Sequence, residues 1–220
     1  MLTVIARRWL VAAFSLLPAW AIAQPSEPAG LGDRLGDDRA PHATTPSAGA
    51  YVPISGAQRV GWIVDGTVGP GSLAIGVVAA SWQTGLNVPE EWGQTWSGFG
   101  KRYIEREADV AISNTIEAGL GAIWGEDPRY LRSGRRGVWP RARYALKTVF
   151  LAQRSDGHLA PAWGRYAGNV FNNVIENAWL PPSAATWEQT TLRSANGFLG
   201  RAASNLWEEF WPDVRKRFKR

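Results

Sequence analysis

The sequence predicts an all-α protein: a single-domain bundle of about five helices with small-residue packing faces. Two observations predict this fold. Apolar residues recur at helical spacing, every three to four positions, along most of the chain after residue 59. Gly, Ala, Ser and Thr also repeat every fourth residue in most of the expected helices, which lets two helix backbones approach closely. Prolines and glycines separate the periodic stretches and mark where each helix ends.

The chain opens with the pattern of a cleavable signal peptide, residues 1–23. Arg7 and Arg8 precede an uncharged apolar stretch, and Ala21 and Ala23 form the small-x-small pattern that signal peptidase recognises. About a dozen apolar residues are too few to span a bilayer, which takes roughly 20. We therefore expect an exported protein of the periplasm or membrane of the bacterial envelope.

Residues 24–58 are rich in Pro, Gly, Ala and Ser, and we expect a disordered linker there. The helical domain is expected over residues 59–220. The chain contains no cysteine, so disulfides and thiolate metal sites are excluded. The domain must therefore be stabilised by packing alone.

The first expected helix follows Pro70, within a segment, residues 66–89, that carries no charge. Residues 71–88 are 18 positions long, at the lower limit for a membrane span. Gly, Ser, Thr and Gln make this stretch only weakly hydrophobic. Two interpretations stay open: a transmembrane helix, or a buried or re-entrant one.

A second helix is expected from Pro89, because proline in the first turn and acidic residues behind it are start signals. Its apolar continuation, residues 110–124, ends at Gly125. Residues 129–143 are expected to form a basic loop, followed by helices over residues 142–153, 162–179 and 184–210. Pro212 is expected to end the last helix.

Charge is unevenly distributed. Lys and Arg exceed Asp and Glu by five in the full chain and by three once Arg7 and Arg8 leave with the leader. An exported protein rarely meets nucleic acid, so we expect no nucleic-acid partner; membrane lipid or lipopolysaccharide phosphate fits better, and a solvated loop is the alternative. The arginines expected to contact phosphate are Arg129, Arg132, Arg135, Arg136, Arg141 and Arg143.

Tryptophan is frequent, and several tryptophans fall near expected helix ends. Tryptophan favours the membrane–water interface, because its ring is apolar while its N–H stays hydrated. A tryptophan-rich soluble core is the alternative.

Candidates for catalysis are few and weak. Glu126 and Asp127 are adjacent carboxylates, and paired carboxylates perform acid–base chemistry in many enzymes; two acids at a helix end are the simpler interpretation. His158 is the one histidine of the expected domain, so a two-histidine metal site is excluded there. We expect no metal and no cofactor.

Glu117 lies inside the apolar stretch 110–124, with Asn114 one turn before it. A buried ionised carboxylate needs a partner or a raised pKa. We expect Glu117 to anchor a buried polar cluster with Asn114 and with Arg165 of another helix; a wet helix face is the alternative.

Four stretches resemble a family of uncharacterised exported bacterial proteins: GFGKRY (98–103), EAGLGAIWGEDPRY (117–130), RSDGHLAPAW (154–163) and FWPDVRKR (210–217). The resemblance covers most of residues 60–220. It implies a single exported domain, and it brings no assigned activity and no functional residue with it.

The sequence thus favours a non-enzymatic, membrane-associated envelope protein that contacts anionic lipid through its Trp-rich helix ends and basic segments. Two alternatives remain: an envelope hydrolase acting on lipid or cell-wall material, and a soluble periplasmic binding module.

Overall fold

The computed structural model describes residues 51–218, so the predicted signal peptide and the linker up to residue 50 lie outside the described residues. The described part is mainly helical, as predicted. Its α-helices are α1 (Gly56–Val68), α2 (Pro70–Leu86), α3 (Trp96–Trp124), α4 (Val138–Phe150), α5 (Trp163–Glu176) and α6 (Trp187–Phe218).

Helix α1 was not expected, and it begins before the predicted domain boundary at residue 59. Ser55 caps it: Gln58 N donates to Ser55 Oγ, and Ser55 N donates to the Gln58 side chain. Only Gly69, in an extended conformation, separates α1 from α2. Together they form a 31-residue stretch, the only one within residues 51–218 that is long and apolar enough to cross a membrane. One such stretch is weak evidence for a span.

Helix α3 is the central element and packs against α1, α2 and α5. It begins later than predicted, because residues Glu90–Trp92 form a separate 3₁₀ turn and Gly93 then takes a positive φ of 65°. Thr95 caps its start, and Gly125 ends it with a left-handed φ of 71°. The expected helix over residues 110–124 is therefore the second half of α3.

A small antiparallel sheet corrects the all-α prediction. Strands β1 (Glu126–Asp127), β2 (Leu151–Arg154) and β3 (Leu159–Pro161) pair in the order β1-β2-β3. The helix predicted to reach residue 153 ends at Phe150, because the following residues pair with β3 across a tight turn. Gly157, with φ of 86°, makes that turn possible.

Helices α4 and α6 are both displaced from their predicted limits. Helix α4 begins at Val138, so Arg141 and Arg143 lie on a helix rather than in a loop. Helix α6 continues through Pro212 to Phe218, past its predicted end. Arg141 makes ion pairs with Glu209 and Asp213, on both sides of the proline, and so supports the helix there.

The interior is unusually polar. Its seven buried apolar residues are mostly small, since five of them are alanine: Ile75, Ala80, Ala118, Ala145, Val149, Ala152 and Ala162. The largest side chains that are almost fully enclosed include arginine, glutamate, asparagine and aspartate: Arg102, Glu176, Glu209, Asn172, Asn205 and Asp127. Most soluble domains distribute their residues the other way round.

Arg102 illustrates how such charges are satisfied. Its guanidinium donates to three backbone oxygens of the loop between α2 and α3: Val88 O at 2.7 Å, Gly93 O at 2.7 Å and Pro89 O at 2.8 Å. This arginine therefore fixes the loop against α3.

Candidate functional site

Helices α3 and α5 approach closely through two glycines of α5. A Cβ atom on Gly164 would lie 2.8 Å from Glu117 O, and one on Gly168 would lie 2.8 Å from Ser113 O. Neither position accepts a side chain without moving the α3 backbone. This close approach brings the polar face of α5 against α3.

Glu117 and Arg165 meet at this crossing. Arg165 Nε donates to Glu117 Oε1 at 2.9 Å, and both side chains are buried. The same guanidinium donates through Nη1 to Thr148 O at 2.7 Å and Val149 O at 3.0 Å, near the end of α4. The structure therefore brings together two of the three residues of the expected cluster.

The third expected member, Asn114, lies elsewhere. Its Nδ2 donates to Thr67 Oγ1 of α1 at 3.4 Å. Arg201 of α6 is instead the third member of the cluster, and it was not predicted from the sequence. Its Nη2 donates to Glu117 Oε1 at 2.6 Å and to Pro128 O at 2.8 Å. Burial and, to a smaller extent, the charge of Arg165 together lower the pKa of Arg201 to about 10. One carboxylate thus serves two buried arginines.

Glu126 caps helix α5. Its Oε1 accepts from Trp163 N at 3.1 Å and its Oε2 accepts from Gly164 N at 2.9 Å. A carboxylate at this end also meets the positive pole of the helix dipole. Glu126 is therefore explained by a structural role.

The Asp127 carboxylate is fully buried and is held by Arg129 and Tyr51. It accepts from Arg129 Nη2 at 2.7 Å, from Arg129 N at 3.0 Å and from Tyr51 OH at 3.1 Å. The His158 side chain, in contrast, is 85% exposed, and its Nδ1 lies 3.5 Å from Asp156 Oδ1. Within the described part of the chain, His158 makes no hydrogen bond or ion pair with Glu126 or Asp127.

Half of the basic segment is bound internally. Arg129 pairs with Asp127, while Arg132 donates to Glu209 O at 3.4 Å. Arg141 Nε donates to Glu209 Oε1 at 2.8 Å, and its Nη1 donates to Asp213 Oδ2 at 2.6 Å. The other three arginines, Arg135, Arg136 and Arg143, are exposed, and Arg135 lies over the Tyr144 ring.

Glu209 accepts the hydrogen bonds of Arg132 and Arg141, and it was not predicted as a site residue from the sequence. It is 2% exposed and accepts from Tyr130 OH at 2.8 Å, from Ser133 Oγ at 2.6 Å and from Arg141 Nε. Burial alone would raise the pKa of Glu209, but hydrogen bonds from Ser133, Arg141 and Tyr130 hold that pKa below its usual range. The available signal was an acidic residue between the apolar residues Leu206 and Phe210 of the last expected helix.

The outer helix faces carry the large apolar side chains. A shallow groove between α3 and α5 is lined by Ile116, Leu120, Phe171, Val174 and Ile175, with Gly119 beside them. Further exposed apolar side chains lie on α1 (Val60, Val64, Val68), on α2 (Val77, Val78, Trp82), on α3 (Ile104, Ile123, Trp124) and on α6 (Leu199, Trp207, Trp211). An exposed apolar groove of this kind is typical of a site that contacts another apolar phase or molecule.

Within residues 51–218, no three His, Asp or Glu side chains are grouped in a way that would hold a metal ion. No protein-family model matches this chain, and comparisons with curated proteins and with solved structures give no match either.

Proposed function

We propose that this chain is a non-enzymatic, membrane-associated protein of the bacterial envelope. Its apolar helix faces contact lipid acyl chains, and its outward-facing basic residues contact anionic headgroups. The single observation that carries the proposal is the inverted distribution of side chains: charged groups are paired inside, and large apolar groups lie outside.

This distribution suits lipid better than water. Burying one large apolar side chain contributes about 1.5–3 kcal/mol, so more than a dozen exposed ones are costly in water. Acyl chains remove that cost. Charged side chains of membrane proteins, in turn, face the protein interior and pair with each other or with backbone carbonyls, as Arg165 and Glu117 do.

Basic and aromatic residues are available at the ends of two helices for headgroup contact. Arg136 and Arg143 are exposed near the start of α4, beside the exposed Trp139. Arg215 and Lys216 are exposed near the end of α6. Each such charge near an anionic surface adds about 1 kcal/mol of attraction. Export of the chain is part of this proposal and rests on residues 1–23.

Fractionation of cells that express the full chain tests the proposal. The protein should stay with the membranes through a high-salt wash and should be released by detergent. The double variant Phe171→Glu/Ile175→Glu places two charges on the apolar face and should move the protein to the soluble fraction. The matched control Ser97→Glu/His158→Glu adds the same charge at exposed polar positions and should behave like the parent.

Two results would overturn the proposal. Release by salt alone, as a soluble oligomer whose apolar faces are covered, would favour the soluble periplasmic binding module. Lipid-ester hydrolysis that disappears in Glu126→Gln, Asp127→Asn or His158→Ala would favour the envelope hydrolase.

A further inference from the structure

Three carboxylates face one another in the interior, where α5 and α6 pack near the first half of α3. Glu105 and Asp109 lie one turn apart on α3, and Glu176 lies at the end of α5. Asn172 connects them: its Nδ2 donates to Asp109 Oδ1 and, at 3.3 Å, to Glu176 Oε1. Glu176 is 1% exposed, so water does not screen its charge, while Glu105 and Asp109 are half-buried.

The cations around this cluster do not balance it. Arg193 of α6 lies with Nε 3.3 Å from Glu176 Oε2, but its other donors go to the oxygens of Asn173, Asn177 and Ala184. The positive charge of Arg106 acts on Glu105 and by itself would lower the pKa of its carboxyl group. The Nη1 atom of Arg106, however, lies 2.7 Å from Glu107 Oε1, so part of its charge is already matched. Fully ionised, the three carboxylates would leave unmatched negative charge inside the protein.

The cluster also has one buried acceptor that receives no hydrogen bond. Asn172 is 1% exposed, and its Oδ1 atom has no hydrogen-bond partner within the described part of the chain. A buried acceptor without a donor is destabilising. The carboxylate oxygens around it are acceptors too while they are ionised. A proton on one carboxyl group would remove a charge and supply an O–H donor at the same time.

Burial and the neighbouring charge of Asp109 raise the pKa of both Glu105 and Glu176. Arg193 opposes this rise in both glutamates but does not cancel it, so the nearby cations do not fully stabilise the ionised cluster.

We propose that Glu105, Asp109 and Glu176 form a proton-binding site that retains at least one proton at neutral pH and thereby keeps α5 packed on α3 and α6 packed on α5. The ligand is the proton itself, shared among carboxyl oxygens. Asn172 and Arg193 orient the acceptors without neutralising them.

The direction of the pH effect follows from linkage. In the unfolded chain these carboxyls lose their protons near their ordinary pKa, about 4, while the folded protein still holds one at higher pH. The folded state therefore binds more protons in this range, and its stability falls as the pH rises. Within the range, each retained proton changes the unfolding equilibrium constant by up to about tenfold per pH unit.

Thermal unfolding of the full-length protein in one neutral detergent, from about pH 5 to about pH 9, tests this proposal. The melting temperature of the parent should fall across the range. Glu176→Gln carries a fixed N–H donor and no charge, so its melting curve should depend less on pH and should match or exceed that of the parent at the alkaline end. The matched control is Glu209→Gln, a buried glutamate with donors already in place, which should lower the melting temperature and keep the slope.

Equal slopes in the parent and in Glu176→Gln would overturn the proposal. So would recovery of alkaline stability by Na⁺, K⁺ or Ca²⁺ at constant ionic strength, because a metal cation would then fill the site. If Glu176→Gln does not fold, infrared spectroscopy of the parent decides. The carbonyl band of a protonated carboxylic acid should be present at pH 7 and lost at alkaline pH, and its absence at pH 7 would refute the site.

Discussion

Arg165 Nε lies 2.9 Å from Glu117 Oε1, and this buried contact joins α5 to α3. Arg201 Nη2 binds the same oxygen at 2.6 Å, so Glu117 joins α3 to both α5 and α6. The three side chains act as one unit, so the loss of the single carboxylate matters more than the loss of one contact.

Glu117→Gln should therefore destabilise the protein by about 3 kcal/mol, because it removes the charge that accepts hydrogen bonds from two buried guanidinium groups. Thermal or denaturant unfolding measures the change. Glu90→Gln replaces an exposed glutamate and should change stability by less than about 0.5 kcal/mol. If Glu117→Gln and Arg165→Gln both leave stability unchanged, the cluster does not stabilise the fold.

The crossing of α3 and α5 depends on Gly164 and Gly168. Gly168→Ala should cost about 1–3 kcal/mol, because the new methyl group would meet Ser113 O at 2.8 Å. Gly100→Ala, also in a helix but with open space around it, should instead stabilise by about 0.5–1 kcal/mol. The difference between the two unfolding free energies tests the packing, and equal effects would show that the helices do not approach this closely.

Glu126 is expected to act on stability rather than on chemistry. Glu126→Ala removes the acceptor of Trp163 N and Gly164 N and should cost about 1–2 kcal/mol. His158→Ala should have no measurable effect, because that side chain is 85% exposed. Equilibrium unfolding of both variants provides the test. A larger loss in the histidine variant would mean that His158 makes contacts in solution that this structure does not contain.

The amphipathic pattern of α5 shows what the sequence can and cannot predict. The sequence separates a polar stripe, Arg165 with Asn172 and Glu176, from an apolar stripe, Trp163 with Val170 and Val174. Periodicity does not say which stripe faces inward, because that depends on the surrounding phase. The structure buries the polar stripe and exposes the apolar one.

Other differences between the prediction and the structure have local causes. The contact between Glu117 and Arg165 follows from a simple rule, that a charge inside an apolar stretch needs a partner. Arg201 was missed because its helix carries many exposed polar residues, so that one more arginine does not stand out. The sheet escaped because its strands are only two to four residues long, too short for a two-residue alternation to be recognised.

The arginines of the basic segment should divide into two functional groups. Arg141→Ala leaves Glu209 and Asp213 without their ion pair and should lower the melting temperature, because Glu209 is buried. Arg136→Ala/Arg143→Ala removes exposed charges and should leave the melting temperature unchanged. The double variant should instead weaken attachment to vesicles that contain anionic phospholipid by about tenfold or more, since each charge contributes about 1 kcal/mol.

Flotation at increasing salt measures this attachment to vesicles, and neutral phosphatidylcholine vesicles, to which parent and double variant should bind equally, are the control. Unchanged flotation of the double variant would exclude these two arginines from headgroup contact and leave the apolar faces as the remaining proposed site of attachment.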